Sequence, residues 1–147
     1  MEALREPGMI HVKAMCVLSH KGRILATEGF DDVKNEKFFR LIGGGVHFCE
    51  LSTDALKREI REELKTELEN ILFLHVFENV FIYRGNPGHE IVFLYAAQMV
   101  RKEIYEKEET PIADQPSIIA KWVPISDVLS GASKIYPAVD YSPYLNL

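Results

Sequence analysis

One stretch of the sequence, residues 52–64, restricts the fold most, because it is the only long segment with strong helix character. Ser52 and Asp54 are residue types that cap the start of helices, and Ala, Leu, Lys, Arg and Glu fill the positions that follow. Leu56, Ile60 and Leu64 recur at helical spacing and form an apolar stripe. The sequence therefore predicts one principal helix that packs against a sheet.

Strand-like runs lie on both sides of this helix. Apolar and β-branched content predicts strands over residues 11–18, 23–27, 38–42, 71–83, 90–100 and 118–123. Turns are expected at 20–22 and 84–88, loops at 28–37 and 101–115, a short helix from Pro124 to Gly131, and an irregular tail after it. This order of elements favours an α/β fold in which a mixed sheet lies between helices.

The composition predicts one globular domain over residues 1–147, because 47% hydrophobic and 27% charged residues are typical of a folded domain. The net charge of -5 provides no basic field for nucleic acid or an anionic membrane. The first six residues lack the apolar core of a secretory signal, and no apolar run approaches the roughly 20 residues that span a bilayer. Because the two cysteines, Cys16 and Cys49, show no metal-ligand pairing, we expect a cytoplasmic protein with reduced thiols.

The predicted helix presents three carboxylates beside its apolar stripe. Glu59, Glu62 and Glu63 fall within an arc of roughly 100° on a helix that advances about 100° per residue. Like charges this close raise one another's pKa values, and a divalent cation removes the conflict. Because carboxylate oxygens are ligands that Mg²⁺ prefers, the helix predicts a site for a hard metal ion.

The loop before the helix adds groups that can reach the same place. The three glycines at 43–45 let backbone N–H groups and carbonyl oxygens approach without side-chain obstruction, and such a carbonyl is a further hard oxygen ligand. Arg58 precedes Glu62 by four residues and can pair with it, or with a loop carboxylate such as Glu50.

These residues belong to a longer pattern. A Gly is followed after five residues by Glu, after seven more by Arg-Glu, and then by an aliphatic residue, any residue and Glu-Glu, matched here by Gly44, Glu50, Arg58, Glu59, Ile60, Glu62 and Glu63. The segment therefore resembles the signature of the Nudix hydrolases. Seven positions at fixed spacing make the match specific, and the order of the flanking strands extends the resemblance to the whole chain.

Some positions depart from the Nudix pattern. Lys65 stands where the family has Gly, and Thr66 where it has an aliphatic residue. That Gly usually ends the helix in a left-handed conformation, so Lys65 costs roughly 1 kcal/mol or the helix ends differently. Family members often have Pro, Glu and Gly at three positions of the preceding loop, where this chain has Ile42, His47 and Cys49. The loop shape and a ligand role at position 47 therefore stay open.

The resemblance implies a fold and a reaction. Nudix proteins form an α/β/α sandwich around a mixed sheet, and they use Mg²⁺ or Mn²⁺ to cleave the pyrophosphate linkage of a nucleoside diphosphate joined to another moiety. By resemblance, Glu59 and Glu63 are metal ligands, Glu62 is a ligand or the water-activating base, and Arg58 orients the carboxylates. Further expected ligands are Glu50 and Gly43.

Substrate contacts are expected outside the helix as well. Candidates are the backbone of Gly44 and Gly45, and the neighbouring His89 and Glu90 on a predicted strand. Glu78 and Glu90 are alternative bases. We interpret four aromatic residues as core, with stacking on a base as the alternative: Phe38, Phe39, Tyr83 and Trp122. Likewise, Cys49 is read as a passive loop residue rather than a reactive thiol, and His47 as either an ordinary loop residue or a phosphate or metal contact.

Three functions compete at this point. The first is the metal-dependent pyrophosphohydrolase; the second is a catalytically silent nucleotide-binding regulatory module of the same fold; the third is a hydrolase of a non-nucleotide diphosphate. ADP-ribose, oxidised nucleoside triphosphates, dinucleoside polyphosphates and nucleotide sugars are all open as substrates. The expected partner is thus a small nucleotide derivative rather than a nucleic acid or membrane, with a homodimer as an option.

Overall fold

A computed structural model describes residues 8–145, and within them nine strands and two α-helices are present. The strands are β1 (Ile10–Val17), β2 (Ser19–His20), β3 (Arg23–Asp31), β4 (Glu36–Gly45), β5 (Leu68–Tyr83), β6 (Asn86–Met99), β7 (Glu109–Ile112), β8 (Gln115–Pro124) and β9 (Ile135–Tyr136). The helices are α1 (Ser52–Leu64), α2 (Ile125–Ser130) and a 3₁₀-helix (Lys102–Glu106).

The strands form a mixed sheet in the order β5-β6-β1-β4-β3-β8-β7, with β2 beside β3 and β9 beside β4. The pairs β1–β6 and β4–β9 are parallel, whereas the other pairs are antiparallel. In the centre, β1 pairs on one side with β6 and on the other with the glycine-rich end of β4. The glycines are thereby held in the middle of the sheet.

Helices cover both faces of this sheet. Alternate residues of β1 point to opposite faces, so Ala14 and Cys16 belong to one buried cluster, and Met15 and Val17 to the other. The first cluster includes the apolar residues of α1, namely Ala55, Leu56, Ile60 and Leu64. On the opposite face, α2 contributes Ile125 and Val128. The predicted α/β architecture with a mixed sheet between helices is confirmed.

The helix α1 has the predicted bounds, but its start differs from the prediction. Leu51, not Ser52 or Asp54, is the N-cap residue, and no side chain caps the helix. The hydroxyl oxygen of Ser52 instead lies 2.6 Å from that of Tyr95 on β6, and Asp54 lies in the first turn. Ser52 therefore attaches the helix to the sheet.

Two segments predicted as loops contain strands. In 28–37, β3 continues to Asp31, whose carboxylate accepts hydrogen bonds from the backbone N–H groups of Val33 (3.0 Å) and Lys34 (3.1 Å) and so closes a short turn. In 101–115, the 3₁₀-helix is followed by β7, an edge strand where Pro111 is tolerated because one side needs no ladder bond. The predicted turn 84–88 is also shorter, because β6 begins at Asn86, and the tail contains β9.

Of the other sequence-based expectations, the one about a secretory signal in residues 1–6 lies outside the described residues. Between residues 8 and 145, no helix has the length and hydropathy needed to cross a membrane. Both cysteines in this part of the chain are free thiols, Cys16 buried and Cys49 exposed.

Candidate active site

The end of β4 and the helix α1 meet at Gly44 and Glu59. A Cβ atom added to Gly44 would lie 2.3 Å from the Cδ atom of Glu59, so only a glycine leaves room for this carboxylate. The preceding Gly43 has φ +151°, and a Cβ there would lie 2.1 Å from the carbonyl oxygen of Ala14. The two glycines therefore let the strand pass close to both β1 and α1. By contrast, a Cβ at Gly45 would meet nothing within 4 Å.

Arg58 links the loop, the strand and the helix through its guanidinium group. Its Nε and Nη2 atoms donate to the two carboxylate oxygens of Glu50 at 2.9 and 3.0 Å. Nη2 also donates to the carbonyl oxygen of Gly45 (2.8 Å), and Nη1 donates to Glu59 Oε1 (2.9 Å). These bonds to Arg58 hold the pKa of Glu50 at about 2 and raise that of Arg58, so both groups stay charged at neutral pH. This arrangement fixes the carboxylates in place.

Glu59 and Glu63 form the buried part of the carboxylate cluster. Glu59 is 2% exposed, and among the described residues no donor reaches its buried Oε2 atom. Burial, the adjacent Glu59 carboxylate and the charge of Asp114 raise the pKa of Glu63 to about 9. Two facing carboxyl groups, one with an oxygen lacking a partner, are a donor set that suits a hard divalent cation.

Glu62 lies at the rim of this cluster. Its side chain is 40% exposed, and its Oε1 atom lies 3.6 Å from Nη1 of Arg58. Within residues 8–145, no three acidic, cysteine or histidine side chains already form a compact metal-binding group. Complete coordination would therefore need backbone oxygens, water or substrate in addition to Glu59 and Glu63, and the glycine backbone of β4 lies at the same place.

The positions that depart from the Nudix pattern are accommodated locally. Lys65 ends α1 in the left-handed conformation (φ 53°, ψ 42°), and its N–H donates to the carbonyl oxygen of Arg61 at 3.1 Å. Thr66 is buried, but its hydroxyl accepts from the N–H of Arg101 and donates to the carbonyl oxygen of Glu67, both at 2.9 Å. The helix therefore ends as it would with glycine, although a lysine carries the strained conformation.

The loop departures have different consequences. Ile42 is fully buried in the sheet, and Cys49, with φ 65°, is exposed. The backbone N–H of His47 donates to Glu50 Oε1 (3.0 Å), while its side chain is 65% exposed. The loop therefore positions Glu50 through its backbone.

The predicted contacts on β6 separate into two environments. Nε2 of His89 lies 3.9 Å from Oε2 of Glu78, whose side chain is 75% exposed. Glu90 points to the other face of the sheet and is buried, with one carboxylate oxygen 3.9 Å from Lys13 Nζ and the other accepting from the amide of Asn79 at 3.3 Å. The structure thus brings Arg58, Glu50, Glu59, Glu62 and Glu63 together, whereas His89 and Glu78 form a separate pair.

Sequence analysis missed the residues that surround Glu90. Lys13 is 3% exposed; burial lowers its pKa to about 8, while the charge of Glu90 opposes this effect. Asn79 on β5 is also buried. A lysine within the apolar run of β1 was the available signal, since a buried cation requires a partner.

Comparison with known proteins identifies the family. The family model described as NUDIX domain matches residues 9–141. The fold is similar to that of a MutT Nudix hydrolase from Burkholderia pseudomallei, with 24% identity, a TM-score of 0.60, and coverage of 82% of this chain and 87% of that one. A Nudix hydrolase from Nitrosomonas europaea is 17% identical, with a TM-score of 0.61 and coverage of 90% and 82%.

A third similar structure is the ORF135 protein of E. coli, with 16% identity, a TM-score of 0.55, and coverage of 92% of this chain and 86% of that one. No curated protein matches the sequence significantly. The family match covers most of the chain and includes the carboxylate helix and the glycine-rich end of β4. The chain therefore belongs to the Nudix hydrolase family, whose enzymes cleave pyrophosphate bonds in derivatives of nucleoside diphosphates.

Proposed function

We propose that this protein is a pyrophosphohydrolase that depends on Mg²⁺, with Mn²⁺ as the alternative, and acts on a nucleoside diphosphate linked to another moiety. The observation that carries the proposal is the buried Glu59, whose Oε2 lacks a donor within residues 8–145, beside a Glu63 with a raised pKa. Arg58 already binds Oε1 of Glu59, but the unpartnered Oε2 beside a second buried carboxyl group is costly to keep without a further cation. Nudix enzymes generally use divalent metals, in agreement with this donor set.

In this proposal Glu59 and Glu63 hold the metal, supported by Glu50, Glu62 and the carbonyl oxygen of Gly43. When bound, the metal neutralises phosphate charge and acidifies a bound water. Arg58 keeps Glu50 and Glu59 in position through its hydrogen bonds. Glu62 is exposed enough to accept the proton of the attacking water, and Glu90 and Glu78 remain the alternative bases.

In this proposal, the protein backbone near the carboxylates contacts the substrate. Gly45 leaves open space beside the strand for the diphosphate. Gly44 is proposed to contact it through its backbone, because Glu59 fills the space where a Gly44 Cβ would lie. Water attacks one phosphorus atom, the bridging phosphorus–oxygen bond breaks, and the bridging oxygen leaves with the other phosphate. His89, which directly precedes Glu90 on β6, is proposed as a further phosphate contact.

The test is hydrolysis of a panel of nucleoside diphosphate derivatives with Mg²⁺ or Mn²⁺, with the products separated by chromatography. We expect metal-dependent turnover in the wild type and its collapse in Glu63→Gln. Glu78→Gln removes the same charge from an exposed residue and serves as the matched control, and its loss of turnover would instead identify Glu78 as the base. Nucleotide binding without turnover across the panel would favour the catalytically silent regulatory module. Turnover of non-nucleotide diphosphates in a parallel assay, with none of the nucleotides, would favour the hydrolase of a non-nucleotide diphosphate.

Three broader expectations also remain proposals. The interpretation of residues 1–147 as one domain is supported by a family match that extends over residues 9–141. A cytoplasmic location rests on sequence composition. A homodimer, and the exclusion of nucleic acids as partners, rest on family resemblance and on the net charge of -5.

A further inference from the structure

The helix α1 covers only part of its face of the sheet. Cross-strand pairing places Ala14, Phe93 and Tyr95 on this face, where they belong to the cluster that packs against α1. The hydroxyl group of Tyr95 lies beside Ser52, so the helix begins at this point, and it packs mainly on β1, β4 and β7. The positions of β5 and β6 nearer to the turn that joins them are therefore left without a covering helix.

The pairing register brings apolar residues together on this uncovered part of the face. Residues that are directly opposite on neighbouring strands point to the same side of a sheet. Two rows of such neighbours cross β5, β6 and β1, namely Val80–His89–Ile10 and Glu78–Ile91–Val12. The exposed apolar residues of this face, which we call the outer patch, are Ile10, Val12, Phe73, Val76, Val80 and Ile82.

The area of the outer patch matches one side of a stable interface. Each of its residues is between 36 and 71% exposed, which corresponds to roughly 500 Å² of apolar surface in total. A standard interface buries about 800 Å² per partner, and about 56–65% of this area is apolar. The patch therefore offers as much apolar surface as one partner of a stable dimer contributes.

The charge of the chain favours a second copy as the partner. Within the two rows of neighbours, Glu78 is the only acidic residue, and neither lysine nor arginine is present. Although the chain carries a net charge of -5, two copies can therefore approach through this face with little repulsion between like charges. A face that binds a membrane surface would instead be rich in lysine and arginine.

We propose that two copies of this chain pack the uncovered faces of β5, β6 and β1 against each other and form a symmetric dimer. In such a dimer the same patch serves both sides, so each copy covers apolar surface with apolar surface. Because β5 is an edge strand within residues 8–145, no further strand of this part of the chain obstructs the approach. This inference goes beyond the proposed hydrolysis, since it assigns a surface to the homodimer.

The dimer also bears on two residues with alternative roles in hydrolysis. Glu78 and His89 lie in the rows that the second copy would cover. A dimer on this face would thus remove Glu78 as an alternative base and His89 as a phosphate contact. Glu62 and Glu90 would remain as candidate bases.

The test is the oligomeric state of the full chain, measured by sedimentation velocity from tens of nanomolar to tens of micromolar protein. We expect the wild type to be a dimer at the highest concentrations. Val80→Glu should raise the dissociation constant of the dimer at least about a hundredfold, because each copy would place an unpaired carboxylate in an apolar contact. Val100→Glu adds the same charge at an exposed valine beyond the far end of β6 and should leave this constant nearly unchanged.

A wild type that stays monomeric at every concentration would overturn the inference and leave another protein or a lipid surface as the occupant. Equal responses of Val80→Glu and Val100→Glu would also overturn it. If Val80→Glu does not fold, Ile82→Thr keeps a β-branched side chain on the strand and is expected to raise the dissociation constant severalfold, so an unchanged constant would contradict the inference. Hydrolysis by a monomeric wild type would leave the proposed function intact and reject only this inference, whereas a dimer without hydrolysis would do the reverse.

Discussion

At the scale of single residues, the adjacent glycines at the end of β4 differ in whether they have room for a side chain. Gly44 faces Glu59, whereas Gly45 has open space where a Cβ would lie. Both contribute to the same short strand segment, and Arg58 binds the carbonyl oxygen of Gly45. Adding a methyl group at each position therefore tests how strongly turnover depends on the position of the Glu59 carboxylate.

We expect Gly44→Ala to lower turnover by roughly a hundredfold, because the new methyl group displaces the Glu59 carboxylate by about an ångström or more. The measurement is steady-state hydrolysis with Mg²⁺. Gly45→Ala is the matched control and should keep most of the activity, since its Cβ meets nothing within 4 Å. Equal losses of turnover in both variants would show that the site requires the conformational freedom of glycine, and not the space beside Glu59.

Metal affinity should depend on pH through Glu63. In the metal-free protein its pKa is raised to about 9, chiefly by burial and then by Glu59, so at pH 7 it is protonated and must lose a proton to bind a cation. The affinity for Mn²⁺ should therefore rise with pH, by up to about tenfold per pH unit, and level off near pH 9. Titrations from pH 6 to 9 measure this, and a pH-independent affinity would contradict it.

Part of the candidate site was predictable because its spacing is local. Arg58, Glu59, Glu62 and Glu63 lie on one helix, whose geometry brings any such pattern to one side. Asn79, Glu90 and Lys13 come from three different strands, so their contact depends on a register that no local pattern encodes. The sequence pointed to Glu90 only through its place on a predicted strand, and it gave no sign that Lys13 and Asn79 contact it.

At the scale of elements, the C-terminus of α1 shows the first of the two outcomes expected for Lys65, a strained left-handed residue at an otherwise ordinary helix end. Lys65 adopts the left-handed conformation that favours glycine, at a cost of roughly 1–2 kcal/mol. The hydrogen bonds of Thr66 compensate for its burial. The helix therefore keeps its length despite the substitution.

Lys65→Gly should stabilise the protein by roughly 1 kcal/mol, because glycine adopts this conformation without strain. For a domain of this size the melting temperature would rise by roughly 2–4 °C. Lys57→Gly, the same change inside α1, should destabilise by about 1 kcal/mol. Thermal unfolding of the three proteins checks this, and a melting temperature lowered by Lys65→Gly would contradict it.

The bounds of α1 were predictable because periodicity and helix propensity act over one segment. Strand ends were less so: β3 and β4 extend into a polar segment because Asp31 closes their turn, and β7 forms only because β8 provides a partner. Cross-strand pairing thus decides where strands end. In the same way, Ser52 is a capping residue by type, but Tyr95 across the sheet takes its hydroxyl.

At the scale of the whole molecule, metal binding should raise the stability of the fold, because the cluster joins β4 to α1. With Mg²⁺ at a hundredfold excess over its dissociation constant, the gain is about 2.7 kcal/mol. We expect the melting temperature of the wild type to rise on adding Mg²⁺ and that of Glu59→Gln to change little. Glu78→Gln controls for the lost charge, and an equal Mg²⁺ effect in Glu59→Gln would exclude Glu59 as a ligand.

The parallel pairing of β1 with β6 also has a consequence for how the chain acquires its fold during synthesis. Ile10 pairs with His89 and Val17 with Ala96, so the centre of the sheet joins residues 79 positions apart. On the ribosome, β1, β4 and α1 emerge before β6, so the apolar stripe of α1 can pack on β1 and β4 while one edge of β1 still lacks its partner strand. The centre of the sheet is therefore completed late, because β6 ends at Met99, about two-thirds of the way along the 147 residues.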